Sequence, residues 1–282
     1  MKFEEKIKTL SSQDVWEEYC SFLELSLPEY MQVQYRLLDE QIQALAHCGL
    51  GRRFFGDVIP KNATEFRRLV PLTTYSDYAD MLLLKREDML PAPPVIWLST
   101  TWEGGDSPMK CAPYTQAMLD TYRNNILGAM LLSTSHGRGT FRVKPNARVL
   151  YSLAPLPYAT GLFPGLVAPE IRIKFLPALE QAQQLSFSQR CKEGFRLSLM
   201  PGMAQFYGMT SIIYSMSKNF PLSGGKGGFS FKDMLRMSPV MLYRILKARY
   251  RSKRDGVPVR PGDIFHLAGL VCVGTDLSLI HI

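Results

Sequence analysis

The chain has 282 residues, enough to form one large domain or two small ones, and 46% of them are hydrophobic, as in a folded globular protein. The formal net charge is +8, which suits polyanionic partners. The five cysteines are scattered and lack C-x-x-C spacing, which favours reduced thiols in the cytoplasm over a disulfide framework or a zinc site.

The part of the chain before residue 95 is predicted to be helical. Its first residues, M-K-F-E-E-K-I-K, are charged and amphipathic and do not form a signal peptide. Short amphipathic helices are expected over Phe3–Leu10 and Gln13–Leu25, and a stronger one over Glu29–Cys48, where apolar residues recur every three or four positions. Residues 1–94 are therefore expected to form an N-terminal helical region that packs on the core.

From residue 95 onward, predicted strands alternate with helices. A strand at Val95–Leu98 is followed by a loop and by a helix from Thr115 to Leu132. Further strands are expected at Arg148–Leu153, Ile171–Leu176, Phe195–Met200 and Leu267–Val273, with helices at Ala178–Lys192, Ala204–Ser217 and Ser230–Arg254. This order predicts an α/β fold, a mainly parallel sheet flanked by helices over residues 95–276.

Two long uncharged stretches and one basic run need separate interpretation. Residues 149–169 and 197–217 are long enough for membrane spans, but their prolines and glycines favour buried strand–turn–helix pieces, so no membrane span is expected. The basic run between Lys247 and Arg254 fits the solvated end of a helix. Contact with nucleic acid or an anionic membrane stays open from charge alone, although no nucleic-acid partner is expected.

The loop after Leu98 is the strongest candidate for a binding site. It reads S-T-T-W-E-G-G-D-S-P-M-K, and its hydroxyls, backbone N–H groups and lysine could hold a nucleotide phosphate. The spacing is not that of the Walker loop, and an ordinary connecting loop would have a similar composition. Residues Gly274–Asp276 leave another predicted strand, so both segments could border one crevice at the carboxyl ends of the strands.

Four stretches together resemble the acyl-adenylate-forming (AMP-binding) enzyme superfamily. Its loop, [ST]-[ST]-G-x-[ST]-G-x-x-x-x-K, is matched at Thr100, Thr101, Gly105 and Lys110. The others are F-R-R-L-V-P-L-T-T-Y-S-D-Y-A-D-M-L from Phe66, L-Y-S-L-A-P-L-P-Y-A-T-G-L from Leu150, and H-L-A-G-L-V-C-V-G-T-D-L from His266. The chain is most similar to the auxin-conjugating acyl-amido synthetase and phenylacetate–CoA ligase branches.

The resemblance implies an ATP-dependent ligase that forms an acyl-adenylate and passes the acyl group to CoA or to an amine such as an amino acid. ATP and Mg²⁺ are the implied cofactors, and a small carboxylic acid is the implied substrate. The phosphates would be held by Thr100, Thr101, Gly104, Gly105 and Lys110, and the adenosine would be bordered by Gly274, Thr275 and Asp276. The acyl pocket would involve Tyr158, Gly161, Tyr207 and Ser211, although turn geometry or core packing would explain these four as well. No catalytic or metal-ligating residue is assignable.

Two departures qualify the resemblance. Trp102 stands where the family has glycine and Gly104 where it has a hydroxyl residue, so the alternative function is a non-catalytic relative with a degraded phosphate loop that acts as a binding or scaffold protein. The stretch Tyr207–Ser211 lacks the glutamate of the family's Y-G-x-T-E motif and precedes the Gly274 element. The chain therefore resembles an N-terminal fragment, inactive alone, and residues 277–282 resemble a non-native tail.

Overall fold

The computed structural model describes residues 1–101, 109–218, 220 and 235–273. Two compact units divide the chain. The first unit contains Met1–Trp16, Ile126–Pro155 and the described part of Pro164–Ile282, and the second contains Glu17–Asn125 and Leu156–Phe163. The chain thus passes between units near residues 16, 125, 155 and 163. The domain boundary predicted near residue 94 stays a prediction.

Helices form much of the second unit before its strands begin. They are α3 (Leu27–Ala46), α4 (Gly49–Phe55), α5 (Ala63–Leu69) and α6 (Ala79–Leu83); α1 (Phe3–Thr9) lies in the first unit, and α2 (Ser12–Cys20) spans the change at residue 16. Local signals set their starts: a carboxylate oxygen of Glu29 accepts a hydrogen bond of 2.8 Å from the N–H of Ser26 ahead of α3. The predicted N-terminal helices are confirmed within a few residues.

A β-hairpin completes the second unit and corrects the predicted strand–loop–helix order. Strand β1 (Ile96–Thr101) pairs antiparallel with β2 (Met109–Tyr114), so Lys110 lies on a strand instead of in the loop. Helix α7 (Gln116–Ser133) begins only after β2. The Thr115 hydroxyl accepts from the N–H of Met118 at 3.4 Å, as expected for a helix cap. The expectation that a helix follows the loop directly was therefore wrong.

The parallel sheet belongs to the first unit. Its strands are β3 (Ala147–Ser152), β4 (Ile173–Leu176), β5 (Gln205–Met209) and β6 (Gly269–Val273), in the order β4-β3-β5-β6 with every pair parallel. The predicted α/β fold with a parallel sheet flanked by helices is therefore confirmed. Strand β1 lies in a separate two-stranded sheet, so the expectation that it shares a sheet with β6 was wrong.

Helices cover this sheet, and two of them correct the sequence prediction. The remaining helices are α8 (Phe163–Val167), α9 (Leu179–Gln183), α10 (Phe187–Ser198), α11 (Thr210–Lys218) and α12 (Pro239–Asp255). Residues 195–198 belong to a helix and not to the strand predicted at Phe195–Met200. Residues 205–209 form β5 and not the start of the helix predicted at Ala204–Ser217. Short apolar runs fit both periods, and packing decides between them.

The core of the first unit lies where α10 and α12 meet the sheet. Leu150 of β3, Phe206 of β5 and Ile245 of α12 are each no more than 2% exposed. The ring of Phe195 meets that of Phe265 edge to face, with centroids 6.0 Å apart. None of the described helices is long and apolar enough to cross a membrane.

Candidate functional site

Within the second unit, the hairpin places two predicted phosphate-binding residues side by side. Thr100 of β1 is the register partner of Lys110 on β2. The Lys110 ammonium lies 5.2 Å from the centroid of the Tyr75 ring, a distance at which the ring attracts the cation. The hairpin thus presents a hydroxyl residue and a positive charge together, which is the chemistry that a phosphate group requires.

Tyr75 connects this hairpin to the phrase that begins at Phe66. Its hydroxyl accepts a hydrogen bond of 2.7 Å from the N–H of Cys111 and donates one of 3.1 Å to the Cys111 carbonyl. These bonds satisfy both backbone groups of the residue next to Lys110. Two of the stretches that carry the family resemblance therefore contact each other, although some 35 residues separate Tyr75 from Lys110 in the sequence.

A third stretch reaches the same hairpin. The N–H of Ser99 on β1 donates to the carbonyl of Pro157 at 2.8 Å, and the N–H of Gly161 donates to the carbonyl of Tyr158 at 2.8 Å. Tyr158 and Gly161 therefore lie on a turn held beside β1. This one unit therefore contains Thr100 and Lys110 of the phosphate set together with Tyr158 and Gly161 of the acyl set.

The other two predicted acyl-pocket residues lie in the first unit. Tyr207 is on β5 and only 2% exposed, and burial raises the pKa of its hydroxyl well above the ordinary value, an effect that the Ser133 side chain partly offsets. Ser211 lies exposed in the first turn of α11. The helix expected to carry Tyr207 is a strand here, so Tyr207 packs in the core while Ser211 faces solvent.

The remaining predicted residues cannot be placed in the same way. Gly104, Gly105 and the segment Gly274–Asp276 lie outside the described residues, as do Trp102 and the side chain of Thr101. Their roles stay predictions. In the part of the chain that the structure describes, no cluster of three or more histidine, cysteine or acidic side chains is placed to hold a metal ion.

A largely apolar cavity of about 580 Å³ lies between α10 and α11, and the sequence analysis missed it. Helix α10 contributes Phe187, Cys191 and Phe195, and α11 contributes Ile212 and Met216. Burial raises the pKa of the Cys191 thiol, so this sulfur is poorly suited to act as a nucleophile. Apolar residues recur every four positions at 187, 191, 195 and 199, and this pattern was the sequence signal that could have revealed the helix face.

Arg190 is a second feature that the sequence did not reveal. It is 5% exposed and lies at the carboxyl end of β3, where a guanidinium Nη2 donates to the carbonyl of Leu153. The guanidinium carbon is 5.5 Å from the centroid of the Tyr151 ring and 5.3 Å from that of Phe187. Within the described ranges it has no carboxylate partner, so aromatic faces and one carbonyl balance a buried positive charge.

Comparisons with known proteins cover the part of the chain that contains the hairpin. Residues 20–149 match the GH3 family N-terminal domain, a region just under half of the chain. A solved structure of AtGH3.15 acyl acid amido synthetase in complex with 2,4-DB is 13% identical, with a TM-score of 0.49 over 79% of this chain and 44% of that one. The chain thus spans less than half the length of that protein. No curated protein matches the sequence.

Proposed function

We propose that this chain is the N-terminal part of an ATP-dependent ligase that activates a carboxylic acid as an acyl-adenylate and then transfers the acyl group to an amine or to CoA. The match of residues 20–149 to the GH3 family N-terminal domain carries the proposal. That region contains both the phrase beginning at Phe66 and the hairpin with Thr100 and Lys110. The contacts of Tyr75 between these two stretches support a shared role.

The proposed reaction needs no protein nucleophile. A carboxylate oxygen attacks the α-phosphorus of ATP, an acyl–phosphate bond forms, and pyrophosphate leaves. An amine or thiol then attacks the acyl carbon and displaces AMP. What the protein must supply is alignment of the two substrates and neutralisation of phosphate charge.

The hairpin is suited to neutralising phosphate charge. Lys110 would contribute its positive charge to the β- and γ-phosphates, and Thr100 opposite it would contribute a hydroxyl. Tyr75 fixes the backbone next to Lys110 and holds the ammonium group over its ring, which limits the positions that this lysine can adopt.

Mg²⁺ fits this arrangement as an ion carried by the nucleotide. The described residues offer no acidic cluster that would hold it alone, and Mg²⁺ at nucleotide sites keeps water and phosphate oxygens among its ligands. When bound, it would neutralise the charge that develops on the leaving pyrophosphate.

The cavity between α10 and α11 is suited to the hydrocarbon part of the acid. Its volume of about 580 Å³ falls in the range of small-molecule sites, and its apolar lining would gain from burying hydrocarbon. Ser211 lies four residues before Ser215 of the lining, on the same face of α11. The proposed acyl role of Ser211 therefore rests on its position next to this cavity.

Calorimetric titration of Mg·ATP into the 282-residue chain tests the nucleotide site. Binding is expected, and Lys110→Ala should weaken it about tenfold or more because one charge-assisted contact is lost. Lys61→Ala is the matched control, since it removes an exposed lysine of the same unit outside the hairpin. Equal affinity of the two variants would contradict the role of Lys110.

Carboxylate-dependent ATP–pyrophosphate exchange tests the reaction itself. It is best measured on the complete reading frame, across a broad panel of aliphatic and aromatic acids, with CoA and amino acids as acceptors. The absence of exchange with every acid would count against the ligase.

The alternative, a relative that has lost nucleotide binding, is motivated by Trp102 in place of the family's glycine. It predicts no Mg·ATP binding by the natural chain. Binding that appears in Trp102→Gly would then identify a degraded phosphate loop, because glycine lets the backbone approach a phosphate closely.

A further inference from the structure

A second cavity, of about 460 Å³, opens at the amino edge of the parallel sheet. Strands β3 and β5 begin there, at Ala147 and Gln205, and residue Ala268 precedes β6. In open α/β sheets the substrates bind beyond the carboxyl ends of the strands. This cavity lies at the opposite edge, and it shares no lining residue with the acyl cavity proposed above.

Three cations line the cavity without a balancing carboxylate. They are Arg142, Lys144 and Arg148, and no aspartate or glutamate belongs to the lining that the structure describes. Arg148 donates through Nε to the carbonyl of Gly202 at 2.8 Å, which fixes its guanidinium. Across the described ranges, none of the three forms an ion pair. Such an arrangement attracts an anion, and a guanidinium is well shaped for phosphate.

Gln205 supplies an independent sign of a missing partner. Gln205 belongs to the lining of the cavity and is 1% exposed, and the Oε1 atom of its side chain is buried without a hydrogen-bond partner. Buried polar atoms in folded proteins are nearly always hydrogen-bonded, so an unsatisfied amide oxygen is costly. A carbonyl oxygen only accepts, so the group that satisfies it must carry an O–H or N–H.

We propose that this cavity binds a small phosphate monoester that also carries hydroxyl groups. The phosphate would contact Arg142, Lys144 and Arg148, and a hydroxyl would donate to Oε1 of Gln205. The volume is that of a small-molecule site and exceeds what a single phosphate ion would fill. The ligand would bind at a second site, which uses none of the residues assigned to the proposed reaction.

Calorimetry at low ionic strength tests the phosphate contact and the hydroxyl contact separately. Ribose 5-phosphate, inorganic phosphate and ribose are each titrated into the 282-residue chain. Ribose 5-phosphate is expected to bind more tightly than inorganic phosphate, and ribose alone should not bind. Failure of both phosphates to bind would overturn the proposal. So would equal affinity of the two, which would leave an adventitious anion site without a role for Gln205.

Charge-neutralising variants locate the site. The double variant Arg142→Gln/Lys144→Gln should weaken ribose 5-phosphate binding about a hundredfold, because each lost charge-assisted hydrogen bond is worth about tenfold. The double variant Lys247→Gln/Lys253→Gln removes the same charge from α12 and should change the affinity less than about twofold. Equal losses in the two variants would mean that overall charge attracts the ligand and would overturn the proposal.

Gln205→Met separates ligand recognition from a structural role. This near-isosteric change removes the unsatisfied oxygen, so the free protein should melt at a higher temperature. Ribose 5-phosphate should then bind no more tightly than inorganic phosphate. Unchanged affinity for ribose 5-phosphate would show that Gln205 does not contact it. ATP–pyrophosphate exchange is expected to be unaffected, so failure here and failure of the ligase proposal are distinguishable.

Discussion

Replacing Gly194 with alanine tests how closely α10 packs on the parallel sheet. A Cβ atom built on Gly194 would lie 2.6 Å from the carbonyl oxygen of Leu176, 2.7 Å from Cδ1 of Leu150 and 2.9 Å from Cδ of Pro177. Real Cβ atoms do not approach other atoms within 3.0 Å. The first contact is to backbone and the second to a fully buried side chain, so helix or strand must move.

The expected magnitude is the difference of two effects. Overpacking of a core costs about 1–3 kcal/mol, whereas alanine in a helix interior is favoured over glycine by about 1 kcal/mol. The net result for Gly194→Ala is a loss of about 1 kcal/mol in the free energy of unfolding. Gly165→Ala in α8 is the matched control because a Cβ atom placed there would meet nothing within 4 Å, and it should gain about 0.4–1 kcal/mol.

Urea unfolding followed by far-ultraviolet circular dichroism measures both variants. Gly194 and Gly165 belong to the same compact unit, so they report on the same transition. If the free energy of unfolding falls with urea concentration at the same slope in both variants, their unfolded states are comparable. The packing argument would be refuted if Gly194→Ala were as stable as the natural chain or gained as much as the control.

Two further changes test other contacts. Tyr75→Phe should lower the free energy of unfolding by about 1–3 kcal/mol, because it leaves the N–H and carbonyl of Cys111 without the hydroxyl that pairs them; urea unfolding measures the loss. Glu4→Gln should destabilise the chain at pH 7. Hydrogen bonds, chiefly from Arg172 and to a smaller extent from Lys8, hold the pKa of Glu4 well below its ordinary value of 4.5. A lowered carboxyl pKa stabilises the fold above the ordinary value, so this difference should shrink as the pH of the urea titration falls below 4.5.

Each of these variants has a control. Tyr78→Phe removes a hydroxyl for which the described residues provide no hydrogen bond, so it should change stability by no more than about 0.5 kcal/mol. Glu180→Gln removes an exposed carboxylate of α9 that has no ion pair in the described part of the chain, so its effect should not vary with pH as that of Glu4→Gln does. A loss in Tyr78→Phe equal to that in Tyr75→Phe, or a pH-independent effect of Glu4→Gln, would contradict the reasoning.

The candidate site could be predicted from the sequence only in part. The residue types at Thr100 and Lys110 pointed to a phosphate, and the structure places them opposite each other. The predicted loop with a helix behind it was wrong for Lys110, because the backbone of Met109–Tyr114 finds its hydrogen-bond partners on β1, and such nonlocal pairing leaves no local signal. Arg190 was missed for the same reason, since Tyr151 and the Leu153 carbonyl, which contact its guanidinium, are almost 40 residues away in the sequence.

The sequence by itself contains the signals that start several helices. Ser26, Asn62 and Thr115 start helices through hydrogen bonds that span three residues or fewer, and such contacts are visible in the residue order. Only the tertiary structure decided that residues 195–198 are helical and residues 205–209 are a strand. Both runs are short and apolar, so their hydrophobic pattern fits a helix as well as a strand. The choice is made only when the run packs on the sheet as a helix or pairs with it as a strand. The cavity at the amino edge of the sheet also exists only in the folded chain, because its walls come from residues 142–148, 204–205 and 268, which are far apart in the sequence.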